Sequence, residues 1–139
     1  MSIKKHTFFL THKDSFVRQK GIEMLGDQRK RDAAEEIGER LMLDESMEIR
    51  IQSAATLGDL QIRHAYVELR RAVKFETVWE VREAIIEAIA RYTAVEVLEL
   101  LEALNERADD KRETRQLSGH IKRLARDLKR SKNQPEKVA

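Results

Sequence analysis

Few residues in this chain could do chemistry, and their spacing suits none of the usual kinds. The four histidines, His6, His12, His64 and His120, show no metal-ligand spacing among themselves. There is no His-Glu-x-x-His, no grouping of serine with histidine as in a triad, and no glycine-rich phosphate loop. Glu35 with Glu36, and Asp109 with Asp110, are sequence neighbours whose side chains diverge by about 100 degrees on a helix, so neither pair forms an acid/base couple. The absence of cysteine excludes a thiolate nucleophile, a thiolate metal ligand and a disulfide framework, and fits a reducing compartment. The expectation is a protein that is not an enzyme and uses no cofactor and no metal.

The pattern that does stand out is a column of arginines. Arg18, Arg50 and Arg82 fall 32 residues apart, each preceded by Val17, Ile49 or Val81 and followed by a small-residue run that ends near Gly26, Gly58 or Ala90. A fixed period of this length marks a stacked repeat protein. Residues 14–27 read as a helix of about three turns, with Val17, Ile22, Met24 and Leu25 on one face and Asp14 or Ser15 as its cap. Past the polar connector Gln28-Arg29-Lys30, a second face follows at Ala33, Ala34, Ile37, Leu41 and Leu43. In the next copy, Asp44, Glu45 or Ser46 opens a helix burying Ile49, Ser53, Ala54 and Leu57, answered by Ala65, Tyr66, Leu69, Ala72 and Val73. The third copy opens near Thr77, buries Val81, Ile85, Ile86 and Ile89, and is answered by Val97, Leu98, Leu101 and Leu104.

Three apolar columns in the second helices support the same period independently: Ala33/Ala65/Val97, Ala34/Tyr66/Leu98 and Ile37/Leu69/Leu101. A polar break is expected at Asn105 to Asp110, after which the period slips, since Thr114 stands 32 beyond Arg82. Leu117, Ile121, Leu124 and Leu128 then trace a narrow stripe on a longer charged helix, as a cap requires. At the start, Ile3, Phe8, Phe9 and Leu10 are available for the missing first helix of the first copy. Residues 131–139 lack periodicity and are expected to be disordered.

Bulk properties agree with a helical chain of one domain, residues 1–130. Charged residues make up 37%, aromatics only 5%, and the single proline, Pro135, lies near the end, so little interrupts a helix. The only early apolar run, Phe8-Phe9-Leu10, is too short for a signal segment or a membrane span. A soluble, cytoplasmic protein is expected. Residues 1–110 hold 17 Lys and Arg against 22 Asp and Glu, a net −5, whereas residues 111–139 hold 10 against 3, a net +7.

The motif standing as Asp44…Ile49-Arg50…Ala54…Leu57-Gly58, and more loosely as Val17-Arg18…Gly26 and Glu76…Val81-Arg82…Ala90, resembles the HEAT-repeat family. The likeness is to its short bacterial branch, which includes phycobilin-lyase-like repeats, and covers about residues 12–107. His12 departs from it, standing where an acid is expected six residues before Arg18. The resemblance implies an all-α, right-handed α-α superhelix (a HEAT-like solenoid) of about three to four helical hairpins, near 12–43, 44–75 and 76–107, with a longer capping helix at 110–130. It also implies that the Val-Arg helices line a concave side. Within that family Arg18, Arg50 and Arg82 are structural, bridging to acids such as Asp44 and Glu76. Three stacked arginines also admit a phosphate clamp, though a planar, multiply donating side chain suits a repeat junction with a carboxylate and loose carbonyls. None of the histidines forms the His-Glu pair of HEAT-type di-iron hydroxylases, the chain is short for a bilin lyase, and an acidic concave face argues against a DNA-repair role.

If the Val-Arg helices face inward, the positions beside the motif form a binding wall. Phe16, Met47, Ile51 and Trp79 supply apolar groups there, and Glu48, Glu80, Glu83 and Glu87 surround them with acid. An apolar centre with a charged rim is the layout of a protein-binding surface, suited to a helix or extended peptide carrying basic and apolar residues. The opposing reading makes Trp79 part of the core. A second candidate is the basic C-terminal helix, with His120, Lys122, Arg123, Arg126, Lys129, Arg130 and Lys132, which suits nucleic acid or an anionic surface but equally an ordinary solvated face. It carries no interleaved aromatics for stacking on bases.

Overall fold

The computed structural model describes residues 8–133, and every regular element among them is an α-helix. Helical residues 8–10 come first, followed by α1 (Ser15–Gly26), α2 (Arg31–Leu43), α3 (Met47–Leu60), α4 (Arg63–Val73), α5 (Trp79–Ala90), α6 (Val95–Arg107) and α7 (Lys111–Asn133). The expectations for Ile3 and for residues 134–139 lie outside the described residues.

Local chemistry explains where these helices start. The Asp14 carboxylate accepts the Phe16 N–H at 2.9 Å, and the Ser46 hydroxyl accepts the Ile49 N–H at 3.4 Å, each satisfying a donor that the first turn leaves unpaired. The third copy opens near Thr77 as expected but differs in its cap: α5 begins at Trp79 behind Val78, with no side-chain cap. Non-glycine residues in the left-handed region shape two connections, Arg29 (φ 48°) before α2 and Gln61 (φ 53°) at the end of α3. The expected polar break at Asn105 to Asp110 is shorter, because α6 continues through Asn105 to Arg107 and leaves only residues 108–110 between helices.

The chain forms two compact units, one ending at Arg91 and the other starting at Tyr92, so the third sequence copy is divided between them. Within the first unit α1 packs on α2 and α3, α2 on α3 and α4, α3 on α4 and α5, and α4 on α5. Ile22, Leu25, Ile37, Leu57, Leu69, Ile85, Ile86 and Ile89 are fully buried between them. Burying a side chain of this size contributes roughly 1.5–3 kcal/mol relative to exposure. Leu43 departs from the expected face and is 67% exposed, because α2 ends there and the chain turns into Asp44. Close approach of α3 and α5 depends on Gly58: a Cβ at that position would lie 2.9 Å from the Ala88 Cβ.

In the second unit α6 packs on α7. Val97, Leu101, Leu117 and Leu124 are buried, while Leu98, Leu104, Ile121 and Leu128 are half-buried. The stripe on α7 is thus as narrow as its spacing predicts. The helix itself runs to Asn133, three residues past the boundary at which disorder was expected, since Ser131, Lys132 and Asn133 contain no helix breaker. At its other end Asp110 accepts the Arg112 N–H at 2.8 Å. Hydrogen bonds from Arg112 hold the Asp110 carboxyl down at about 2.

Candidate binding surface

The arginine column organises the first unit. Arg18, Arg50 and Arg82 each donate from Nη1 to the carbonyl six residues earlier, His12, Asp44 and Glu76 in turn, at 2.8 Å in all three. Arg18 and Arg50 also reach forward to a carboxylate of the following copy. Arg18 grips Asp44 with two bonds, Nε to Oδ2 at 2.9 Å and Nη2 to Oδ1 at 3.0 Å. Arg50 Nε meets Glu76 Oε1 at 2.9 Å. Arg82 joins the Val73 and Glu76 carbonyls, so Glu76 serves two arginines, with its side chain for one and its backbone for the other.

His12 fits this scheme without an acid. What Arg18 takes from position 12 is a carbonyl, which any residue supplies. Arg18 is 5% exposed, and its Nε, Nη1 and Nη2 are all engaged by protein oxygens. That geometry makes a junction and leaves no fork for phosphate.

Beside this column, α1, α3 and α5 lie next to one another and present the wall residues. Phe16 is 62% exposed, and the Lys20 ammonium stands 5.7 Å from its ring centroid. Met47 and Trp79 are the first residues of α3 and α5, 32 positions apart, and both are half-buried, as is Ile51. Trp79 is therefore neither a core side chain nor a fully exposed one. Glu48, Glu80, Glu83 and Glu87 are all exposed. Two cross-links span the helices along this face. Gln52 Nε2 donates to the Gln19 carbonyl at 3.1 Å, and Arg91 pairs with Asp59.

At the C-terminal ends of α1 and α3 the face deepens into an open hollow of about 390 Å³, lined by Glu23, Gly26, Asp27, Arg29, Thr56, Asp59 and Leu60. Sequence reading had not assigned Asp27, Arg29 and Asp59 a site role. The signal for two of them was present, because Asp27 and Asp59 are 32 apart, next to the two motif glycines.

On the opposite helices, α2 and α4, Gly38 makes room for Glu68, whose carboxylate is buried against it and lies 3.4 Å from Arg71. Burial pushes the Glu68 carboxyl upward, Arg71 opposes that, and Glu35 adds to it. A cleft of about 490 Å³ opens there between Glu35, Glu39, Met42, Leu43 and Arg71. Among the described residues no group of three or more His, Cys, Asp or Glu is disposed to hold a metal ion, and no helix is long and apolar enough to cross a membrane. Compared with the models of known protein families and with curated proteins, the chain matches none.

Proposed function

We propose that the chain is a HEAT-like α-solenoid acting as a non-catalytic interaction module, and that the wall formed by α1, α3 and α5 receives a basic, amphipathic segment of a partner protein. The observation carrying this reading is the pairing of half-buried Met47, Ile51 and Trp79 with exposed Glu48, Glu80, Glu83 and Glu87 on adjacent helices. The solenoid reading draws on the first unit, where contacts among α1 to α5 extend only to the next helix and the next but one and the arginine junction recurs every 32 residues. A half-buried tryptophan anchors well because part of its apolar surface is still available for burial, and truncating such a residue costs about 2 kcal/mol or more of binding. Surrounding acid favours lysine and arginine on the partner and speeds encounter.

Trp79 is the only tryptophan, so its fluorescence reports on the wall directly. Titration with a basic amphipathic helical peptide should shift Trp79 emission to the blue, and an acidic peptide of the same apolar pattern should leave it unchanged. Glu80→Lys combined with Glu83→Lys should abolish the shift while preserving the helical circular dichroism. A wild-type chain whose Trp79 emission ignores the basic peptide at low salt ends this reading.

A further inference from the structure

The basic helix of the second unit presents a surface unrelated to the acidic wall. On α7 at 100 degrees per residue, Lys111, Arg112, Arg115, Gly119, Lys122, Arg123, Arg126, Lys129 and Arg130 fall within one sector about 120 degrees wide, and every one of them is exposed. Eight of these nine are cationic, and neither acid of α7 lies in the sector: Glu113 is buried at 6% and Asp127 is half-buried on the flank. The ordinary outcome for a solvated helix face is mixed charge, since alternating signs gain a little from pairs three and four residues apart and like charges lose it. Beyond Arg112, whose guanidinium is paired with Asp110 at 2.9 Å, the face is of one sign from Arg115 to Arg130.

Gly119 is the second observation. A glycine inside an exposed helix is unfavourable relative to alanine, and a packing reason normally explains it. Gly21, Gly26, Gly38 and Gly58 have such a reason, because a Cβ at each would meet a neighbouring atom closer than 3.0 Å. Gly119 has none: nothing lies within 4 Å of where its Cβ would be. It sits in the middle of the basic sector, between Arg115 and Lys122, where it leaves a notch with the helix backbone at its floor. A notch flanked by cations accommodates the close approach of an anionic chain.

We infer that this face of α7 binds the phosphate backbone of duplex DNA, independently of sequence, with the duplex pressed closest at Gly119. Three features select this occupant. No aromatic residue occurs after Tyr92, so the stacking that holds single strands is missing. Leu117 and Leu124 are buried, so α7 has no free apolar stripe to insert into a membrane interface. A helix about 10–12 Å across matches the major groove of B-form DNA, about 12 Å wide, whereas the major groove of an RNA duplex is too deep and narrow.

The test is a titration of the full chain with a labelled DNA duplex of arbitrary sequence, run beside an RNA duplex, a DNA single strand and phosphatidylserine vesicles. Engagement of about five phosphates gives a log–log salt slope near −4.5, so duplex affinity should fall roughly 500-fold between 50 and 200 mM salt. The triple variant Lys122→Glu/Arg126→Glu/Lys129→Glu should lose duplex binding. Gly119→Leu fills the notch and favours the helix, and should weaken the duplex about tenfold with no fall in melting temperature. Trp79→Ala should bind the duplex as wild type does, which separates this surface from the wall on α1, α3 and α5. The inference is overturned by no duplex binding at 50 mM salt, by a slope shallower than about −2, by tighter binding to vesicles, RNA or the single strand, or by a Gly119→Leu chain that binds the duplex unchanged.

Discussion

Arg18 and Arg50 occupy equivalent positions but not equivalent environments, and the difference sets what each is worth. The Asp44 side chain is 1% exposed and takes both bonds of the Arg18 fork, with Arg40 at 3.7 Å and the Ser46 N–H as its other neighbours. Removing Arg18 strands a buried carboxylate, which costs about 3–5 kcal/mol when the ion left behind cannot reach water. Glu76 is 15% exposed and is held by a single bond from Arg50, so water can partly replace that guanidinium. Arg18→Met should therefore lower stability by about 3–4 kcal/mol and Arg50→Met by about 1–2 kcal/mol in urea unfolding. Adding Asp44→Leu to Arg18→Met should recover part of the loss; a double variant less stable than the single one contradicts this account. Glu68 acts in the opposite sense. Its folded pKa lies above the unfolded value because of burial, so the folded chain binds a proton there more readily, and stability rises as pH falls through that folded value. Glu68→Gln should raise the melting temperature at pH 7, since the Arg71 it releases is mostly exposed and loses little. That advantage should close by about pH 4, where the carboxyl is protonated in both states.

Helix contacts turn two glycines into opposites. A Cβ on Gly58 would stand 3.0 Å from the Ala88 Cα, a backbone atom that moves only if α3 and α5 separate. Gly58→Ala should cost about 1–3 kcal/mol of overpacking, offset by about 1 kcal/mol of helix propensity, for a net loss. Gly119→Ala meets nothing and should gain about 0.5–1 kcal/mol, so thermal unfolding of the two variants should shift in opposite directions. The period of 32 exposes such pairs, because it places Gly26, Gly58 and Ala90 in one column and the apolar faces of α2 and α4 in others. Helix ends were less legible. Val78 carries no capping side chain, Leu43 is apolar yet sits on the last residue of α2, and Asn105 to Arg107 are polar yet helical, so composition misleads wherever the backbone path decides. The wall shows the same division. Spacing placed the Val-Arg motifs on equivalent helices and the family resemblance implied one shared face for them, whereas the half-burial of Trp79 and the hollow around Asp27 and Asp59 depend on how far apart packed helices stand.

Within the first unit, a chain of short-range contacts distributes stability unevenly. Helix α3 packs on four others, α1, α2, α4 and α5, while α1 packs only on α2 and α3 among these helices. Opening α3 must therefore disrupt every neighbour at once, including the burial of Ile49, Ala54 and Leu57 and the Arg50 junction, whereas α1 can separate while α3, α4 and α5 keep their mutual contacts. Sub-global opening of this kind is what native-state hydrogen exchange measures. In a linear array, whose stability is close to a sum of local and nearest-neighbour terms, protection rises toward the middle; in a bundle with one shared core, it is uniform. Exchange should accordingly be slowest for the amides of Ile49 to Leu57 and faster across α1, and Gly58→Ala should accelerate exchange in α3 and α5 more than in α1. Equal protection of α1 and α3, collapsing together in that variant, contradicts the linear account, and the wall of adjacent helices that presents Phe16, Met47 and Trp79 loses its basis with it.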